Sequence, residues 1–410
     1  MTRKVLIVNE TPVPPDERCW LEAKTLARAG YQVSVVCTKM DAEVDAHRVL
    51  EGVDIYAYNP PRQAHGLWSF AWELAYCWAH STRLSIRLAR EVGFDVVHAC
   101  NPPDTFFALA ALFRPFGKKF VFAQHDLVPE LWLSRFGDRG MIGRVLHRGL
   151  LLMERLSYLI AEVVIVPNES YKRVAMRRGR LPAESVFVVR NGPDLEKIFL
   201  ADPDESLREG REHLVCYLGV MNPQDGVDYL IRAVAALVHK HGRRDTQFAL
   251  IGSGDVIDEL KALAAELDVE EYVTFTGWVF EPNLLSRYLR SADVCVAPDP
   301  KTPLNEVSSF MKIMDYMAVA RPIVAFDLAE TRVSAGDAAL YAAPDDVDDF
   351  AAKISELLDD PQEREELGQI GRRRIEESLS WTHQEAALLA AYEVVFRDHV
   401  ESIEPEGQPE

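Results

Sequence analysis

A chain of 410 residues exceeds one ordinary domain and fits two of roughly 150–200 residues each, with a cleft between them. Its hydrophobic content of 48% is that of a globular protein, and no run of about 18 apolar residues is free of charge, which excludes a membrane-spanning helix. The net charge of −19 divides unevenly: residues 1–195 hold 25 Lys and Arg against 21 Asp and Glu, the remainder 20 against 43. The acidic second half argues against a nucleic-acid partner, although its charge serves equally as a solvated surface, and the mildly basic first half suits an anionic lipid or lipid-linked substrate.

In the first half, β-branched runs alternate with amphipathic stretches. Strands are predicted at Lys4–Val8, Gln32–Cys37, Val53–Tyr58, Asp95–His98, Lys119–Ala123, Val163–Val166 and Val186–Val189, with helices around Cys19–Ala29, Phe70–Val92 and Arg144–Ala161 and a further apolar element at Thr105–Phe113. The second half repeats the rhythm with strands at Leu214–Leu218, Gln247–Ile251, Val273–Thr276, Val294–Ala297, Ile323–Ala325 and Ala339–Tyr341. The expected architecture is α/β: two Rossmann-like domains in series, at 1–195 and 196–380, facing across a cleft. Their boundary is expected in Gly192–Glu212, where Pro193, Pro203 and acidic residues interrupt both periodicities. A final helix is expected over 381–400, then a frayed tail over 401–410. The run Val5–Val8 stops at Asn9-Glu10 without a small-residue cleavage site, so the expected address is cytoplasmic. The six cysteines show no CxxC spacing, and the eleven histidines form no convincing ligand pair, so unpaired thiols and no metal are expected.

Three segments carry candidate chemistry. Tyr217–Gly226 follows the second domain's first strand, and its Gly219 lets backbone amides approach a phosphate. Ile251-Gly-Ser-Gly-Asp255, with Gly252 and Gly254, supplies only part of a dinucleotide fingerprint, which disfavours an NAD enzyme. The richest is Pro303–Met317, which places Glu306, Ser308, Ser309, Lys312 and Asp315 just beyond a predicted strand end, where open α/β sheets bind ligands. A helix starting near Val307 would aim Ser308, Ser309 and Lys312 at a diphosphate, with Asp315 one turn on for ribose hydroxyls. An ordinary capped helix with an exposed Lys312–Asp315 pair explains the same residues equally well.

Asn305–Met317, continuing to Leu328, resembles the donor-site signature of family 4 glycosyltransferases. Further matches lie at Gln124–Leu131, Arg190–Pro193, Gly226–Leu230, Phe275–Trp278 and Ala292–Val294. The resemblance implies a GT-B fold whose last helix crosses back to the first domain, with acceptor binding in the first domain and donor binding in the second. It implies a retaining, metal-independent transfer of a hexose from a UDP-linked donor to a polysaccharide or lipid-linked acceptor, with no cofactor beyond that substrate. The implied catalytic group is His125, Asp126 and Glu306, with His125 orienting the sugar. The implied donor set is Arg18, Gly219, Gly252, Gly254, Trp278, Val279, Ser308, Ser309, Lys312 and Asp315.

The chain departs from the family pattern in places. Val307 and Asp315 occupy the positions of the usual glutamate pair, Val220 and Asp225 those of a common Arg and Lys, and Pro12–Arg18 replaces a Gly-Gly turn. A nucleotide-sugar epimerase of the same fold and a catalytically weak sugar-nucleotide binder are the alternative functions. The segment 66–79, with three of the seven tryptophans, and the arginine-bearing Arg135–Arg148 admit peripheral contact with the inner membrane. For 66–79, a buried packing helix is the favoured reading.

Overall fold

The computed structural model describes residues 2–40, 43–61, 67–137 and 140–397. The first sheet contains β1 (Lys4–Val8), β2 (Gln32–Thr38), β3 (His47–Leu50), β4 (Val53–Tyr58), β5 (Val96–Cys100), β6 (Lys119–Ala123), β7 (Val163–Val166) and β8 (Val186–Val188). Their order is β3-β4-β2-β1-β5-β6-β7-β8, parallel throughout except for the antiparallel β3–β4 edge. The second sheet contains β9 (His213–Leu218), β10 (Thr246–Ile251), β11 (Val273–Gly277), β12 (Val294–Ala297), β13 (Ile323–Phe326) and β14 (Ala339–Ala342). It is all parallel, in the order β11-β10-β9-β12-β13-β14. Helices cover both faces of each sheet, which is why central strands such as Val-Val-His-Ala-Cys at 96–100 are buried at every residue. Strand order reverses between β1 and β5 and between β9 and β12, and at such switch points the loops beyond the strand carboxyl ends diverge to leave a crevice.

The last helix, Trp381–Phe396, returns to the first sheet. Leu388, Ala391, Tyr392 and Val395 enter the core beside Trp20 and Leu26 of the helix Glu17–Arg28. Trp381 Nε1 donates to Thr25 Oγ1 at 2.8 Å, and Lys119 Nζ caps the helix end by bonding the Val395 carbonyl. Residues 401–410, expected to be a tail, lie outside the described residues, and among the described residues no helix is long and apolar enough to cross a membrane.

Four local readings need correction. The edge strand β3 has mixed polarity and no apolar alternation, so periodicity could not reveal it. The helices Val128–Phe136 and Glu169–Gly179 were not anticipated; Pro129 in the first starts a helix instead of breaking one, and Asn168 caps the second by accepting from Tyr171 N at 2.8 Å. The helix expected from Val307 begins at Met311. The helix Leu67–Glu91 buries Cys77, Ser81 and Leu88 but leaves Trp72 and Trp78 exposed, so it is not buried over its aromatic part; the Trp68 side chain lies outside the described residues.

Because Leu388 is fully buried between the last helix and the first sheet, Leu388→Ala is expected to destabilise the first domain by about 2–5 kcal/mol. Urea unfolding followed by tryptophan fluorescence measures this; an unchanged midpoint would mean the helix adds nothing to that core.

Candidate functional site

The segments after β1, β9 and β11 and the helix start at 309–315 line one cleft of about 670 Å³. The second-domain wall is built around a buried ion pair. Asp299, directly after β12 and 1% exposed, holds Lys312 Nζ at 2.8 and 3.0 Å through its two carboxylate oxygens. The ammonium also lies 4.9 Å from the Tyr217 ring centroid and 5.1 Å from that of Phe310. Burial pushes the Asp299 carboxyl upward, and the charge and hydrogen bond of Lys312 pull it back part of the way. Asp299 was absent from the sequence-derived set; an Asp between Pro298 and Pro300 reads as turn chemistry until the fold brings it to Lys312.

The segment before this helix does not have the helical form expected. Asn305–Val307 is a 3₁₀ turn and Ser308 is extended, because the segment is fastened to the first domain. Leu304 and Val307 pack into the first domain's core; Asn168 Nδ2 donates to Val307 O at 2.9 Å and to Ser309 Oγ at 2.8 Å, and the Ser308 and Tyr171 hydroxyls meet at 3.1 Å. Ser308 and Ser309 therefore join the domains instead of opening a helix. Val307 is apolar because its environment is the neighbouring core.

The cleft lining contains Arg18, Gly219, Trp278, Val279, Ser309, Lys312 and Asp315 from the predicted set, together with Glu17 and Asp225. Gly219 needs its freedom: φ is +153°, and an added Cβ would sit 3.0 Å from the Tyr217 hydroxyl. Gly252 and Gly254 are spent on packing, since a Cβ would fall 1.9 Å from Gly219 O and 2.2 Å from Met221 O respectively. Asp315 sits opposite Glu17; burial, then the charge of Glu17, pushes its carboxyl well above the usual range. Burial likewise pushes Asp225 up to about 6, against the pull of Lys312. Glu306 lies outside the lining, 3.7 Å from Lys301 Nζ.

His125 and Asp126 follow β6 and are set by one amide. Asn101 Oδ1 accepts from His125 N at 2.6 Å and Asp126 N at 3.1 Å, while its Nδ2 donates to Asp126 O at 2.8 Å and Asp104 Oδ1 at 2.7 Å. Arg18 reaches over the same turn, donating to His125 O at 3.2 Å and lying 3.6 Å from Asp126. The His125 ring points into the domain: Nε2 is 3.5 Å from Glu22 Oε1, Glu22 Oε2 is 3.0 Å from His98 Nε2, and His98 Nδ1 is 2.8 Å from the Tyr392 hydroxyl. Burial opposes ionisation of Glu22, but the hydrogen bonds and charges of the two histidines outweigh it and hold the carboxyl far below its usual value. Neither His125 nor Asp126 lines the cleft directly. Glu22, His98 and Cys100 also bring one ligand-type atom each within 4.8 Å of one another, a meeting that spacing along the chain could not reveal.

Comparison with known proteins decides the family. The model described as Glycosyltransferase Family 4 matches residues 19–197, and that described as Glycosyl transferases group 1 matches residues 212–360. The chain belongs to the family 4 glycosyltransferases. This glycosyltransferase is 24% identical to an uncharacterized glycosyltransferase of Methanocaldococcus jannaschii over 91% of its own length and 92% of the relative's. It is 26% identical to an alpha-D-kanosaminyltransferase of Streptomyces kanamyceticus, covering 72% of its own length and 77% of the relative's. Among solved structures, a sucrose-phosphate synthase from Thermosynechococcus elongatus superposes with a TM-score of 0.78 at 18% identity, over 96% of this chain and 99% of that one. HepE of Anabaena, solved in complex with UDP and glucose, superposes with a TM-score of 0.70 at 15% identity, over 95% and 99%. The shared fold is GT-B.

The glycosyltransferase carries a pH-sensitive support beneath its His125 turn. Burial, against the Asn101 hydrogen bond, pushes Asp104 up to about 8, and its Oδ2 is buried with no donor to stabilise a charge there. A folded-state value above the unfolded one contributes stability that is complete below about pH 4 and lost as pH rises through about 8. Asp104→Asn, permanently neutral, is expected to lose less melting temperature than the parent between pH 5 and pH 8 in scanning fluorimetry. Parallel curves would show that Asp104 does not titrate there.

Proposed function

We propose that this glycosyltransferase moves a hexose from a UDP-linked donor to a polysaccharide or lipid-linked acceptor with retention of anomeric configuration, the first domain receiving acceptor and the second donor. The observation that carries this reading is the Lys312–Asp299 pair on the wall of the interdomain cleft, at the switch point beside β9 and β12. An ammonium has three N–H donors, and Asp299 takes two of them. The third can meet an oxygen of the donor diphosphate, and Asp299 fixes the direction in which it points. Negative charge grows on that diphosphate as the glycosidic bond breaks, so a preoriented cation acts most strongly in the transition state. Trp278 and Phe280, stacked 6.2 Å apart and exposed at the cleft, offer flat apolar surface for a base. The UDP bound to HepE favours a uridine donor. Arg18, on the opposite wall, supplies a second cation and, with Asn101, holds the His125 turn beside it.

Labelled UDP-, GDP- and ADP-sugars, incubated with a membrane lipid extract and with soluble glycans, test the assignment, and NMR of the product gives its anomeric configuration. Label transferred to a glycan or lipid supports the reading, whereas a converted nucleotide sugar alone would indicate an epimerase. Lys312→Ala is expected to lower kcat/KM at least about tenfold, the size of one charge-assisted hydrogen bond. The reading fails if no donor turns over and Lys312→Ala binds UDP as tightly as the parent in calorimetry.

Asp225 adds a pH signature. Above about pH 6 its carboxylate places a negative charge in the cleft beside an anionic donor; below that it is neutral. The donor KM is therefore expected to fall as pH drops from 7.5 to 5.5, and Asp225→Asn should flatten that trend; an equal slope in both proteins would remove Asp225 from the donor's surroundings.

A further inference from the structure

The helix Gly140–Ile160 lies on the first domain with one side unpartnered. Met141, Ile142, Val145, Leu152 and Leu159 are 57–77% exposed, and Leu146 and Met153 are also open to solvent. At 100° per residue these side chains share one continuous arc, with Met141, Val145, Leu152 and Leu159 in a row along one side of it and Ile142, Leu146 and Met153 along the other. Soluble proteins seldom leave such a row bare.

The charges on this helix are segregated. Arg144, Arg148 and Arg155, spaced by four and seven, form a line along one edge of the apolar arc, and all three are exposed. The helix's one acidic residue, Glu154, is 1% exposed and paired with Arg178 at 3.1 Å. In a chain of net charge −19, a surface helix that shows solvent only cations among its ionised groups is locally distinctive. Apolar residues flanked by arginine, with acid excluded, complement an anionic lipid surface: the side chains enter the acyl boundary and the guanidinium groups meet phosphates.

We infer that the outer face of Gly140–Ile160 docks this glycosyltransferase on an anionic lipid surface. The helix packs against Val128–Phe136, which touches the turn Pro223–Asp225 of the other domain, and whose Arg135 pairs with Asp255 there. Docking by this face sets the first domain's side of the cleft close to the lipid. It thereby selects the lipid-linked class of acceptor; this last step rests on the transferase reading, whereas the docking itself does not.

Flotation of the full chain with phosphatidylcholine vesicles, with and without phosphatidylglycerol, tests the docking without any turnover. Binding to the anionic vesicles, weakened by salt, is expected, together with little binding to the neutral ones. Replacing Arg144, Arg148 and Arg155 by Gln should weaken the partition about a hundredfold, since each cation near such a surface contributes about a factor of five. Ile142→Glu with Val145→Glu should abolish it, with the melting temperature checked to confirm folding. The inference is overturned if the parent ignores anionic vesicles, if both variants bind as it does, or if light scattering shows a dimer that Val145→Glu dissociates, which would make this face an interface between copies. Equal turnover of a water-soluble acceptor by parent and variants would keep a docking failure distinct from a failure of the transferase assignment.

Discussion

The clasp between Leu304–Ser309 and the first domain fixes the geometry on which the rest depends. Two parallel sheets joined only through chain crossings at 190–212 and near 380 could meet in many ways. Here Leu304 and Val307 are inserted in the first domain's core, and Asn168 and Tyr171 hold the following backbone and serines. Inserted apolar side chains resist sliding, because withdrawal would expose them and leave a void, and the Asn168 hydrogen bonds fix the register. The clasp ends where the helix Met311–Ala318 begins, so the position of Lys312 is set from both domains at once.

Electrostatics then explains why that lysine is shaped into a tool. An ammonium as buried as Lys312 is costly unless paired, and Asp299 pairs it. The surrounding acids, Asp225, Asp299 and Asp315, are all shifted upward, mainly by burial. Protons taken up by Asp225 and Asp315 leave more of the lysine's field for a ligand, while the Asp299 carboxylate keeps the ammonium in place. Val220 and Asp225 stand where the family resemblance leads one to expect Arg and Lys, so this wall relies on the Lys312 ammonium that Asp299 holds.

The parallel strands were legible because fully buried β-branched runs such as Val-Val-Ile-Val at 163–166 admit few other readings, and the strand-helix alternation led directly to two sheets. What could not be read were features decided by tertiary contact. Val307 looked like a lost functional carboxylate, yet it is a core residue of the other domain. Ser308 and Ser309 had helical spacing but a neighbour's side chains to satisfy. Asn101, the amide that sets His125 and Asp126, sits in Asn101-Pro-Pro103, a sequence that signals only a loop. Asp299 and Glu22 acquire meaning only from partners 13 and 76–103 positions away, distances at which a sequence carries no local signal.

The two halves of the site solve one problem in the same way. In the second domain a buried carboxylate, Asp299, orients a cation at a strand end; in the first, Asn101 orients the His125 turn at another, while Glu22 takes up the imidazole from beneath. The first domain's arrangement continues from Glu22 through His98 to Tyr392, so the helix Trp381–Phe396 closes a chain of polar contacts that starts at His125. Each link is buried, and a buried polar group without its partner costs about 1–3 kcal/mol, so the links stand or fall together. Returning the chain's last helix to the first sheet therefore does more than cover apolar surface. It supplies the hydroxyl that completes the support beneath His125, tying that turn, through His98, to a residue 294 positions beyond that histidine.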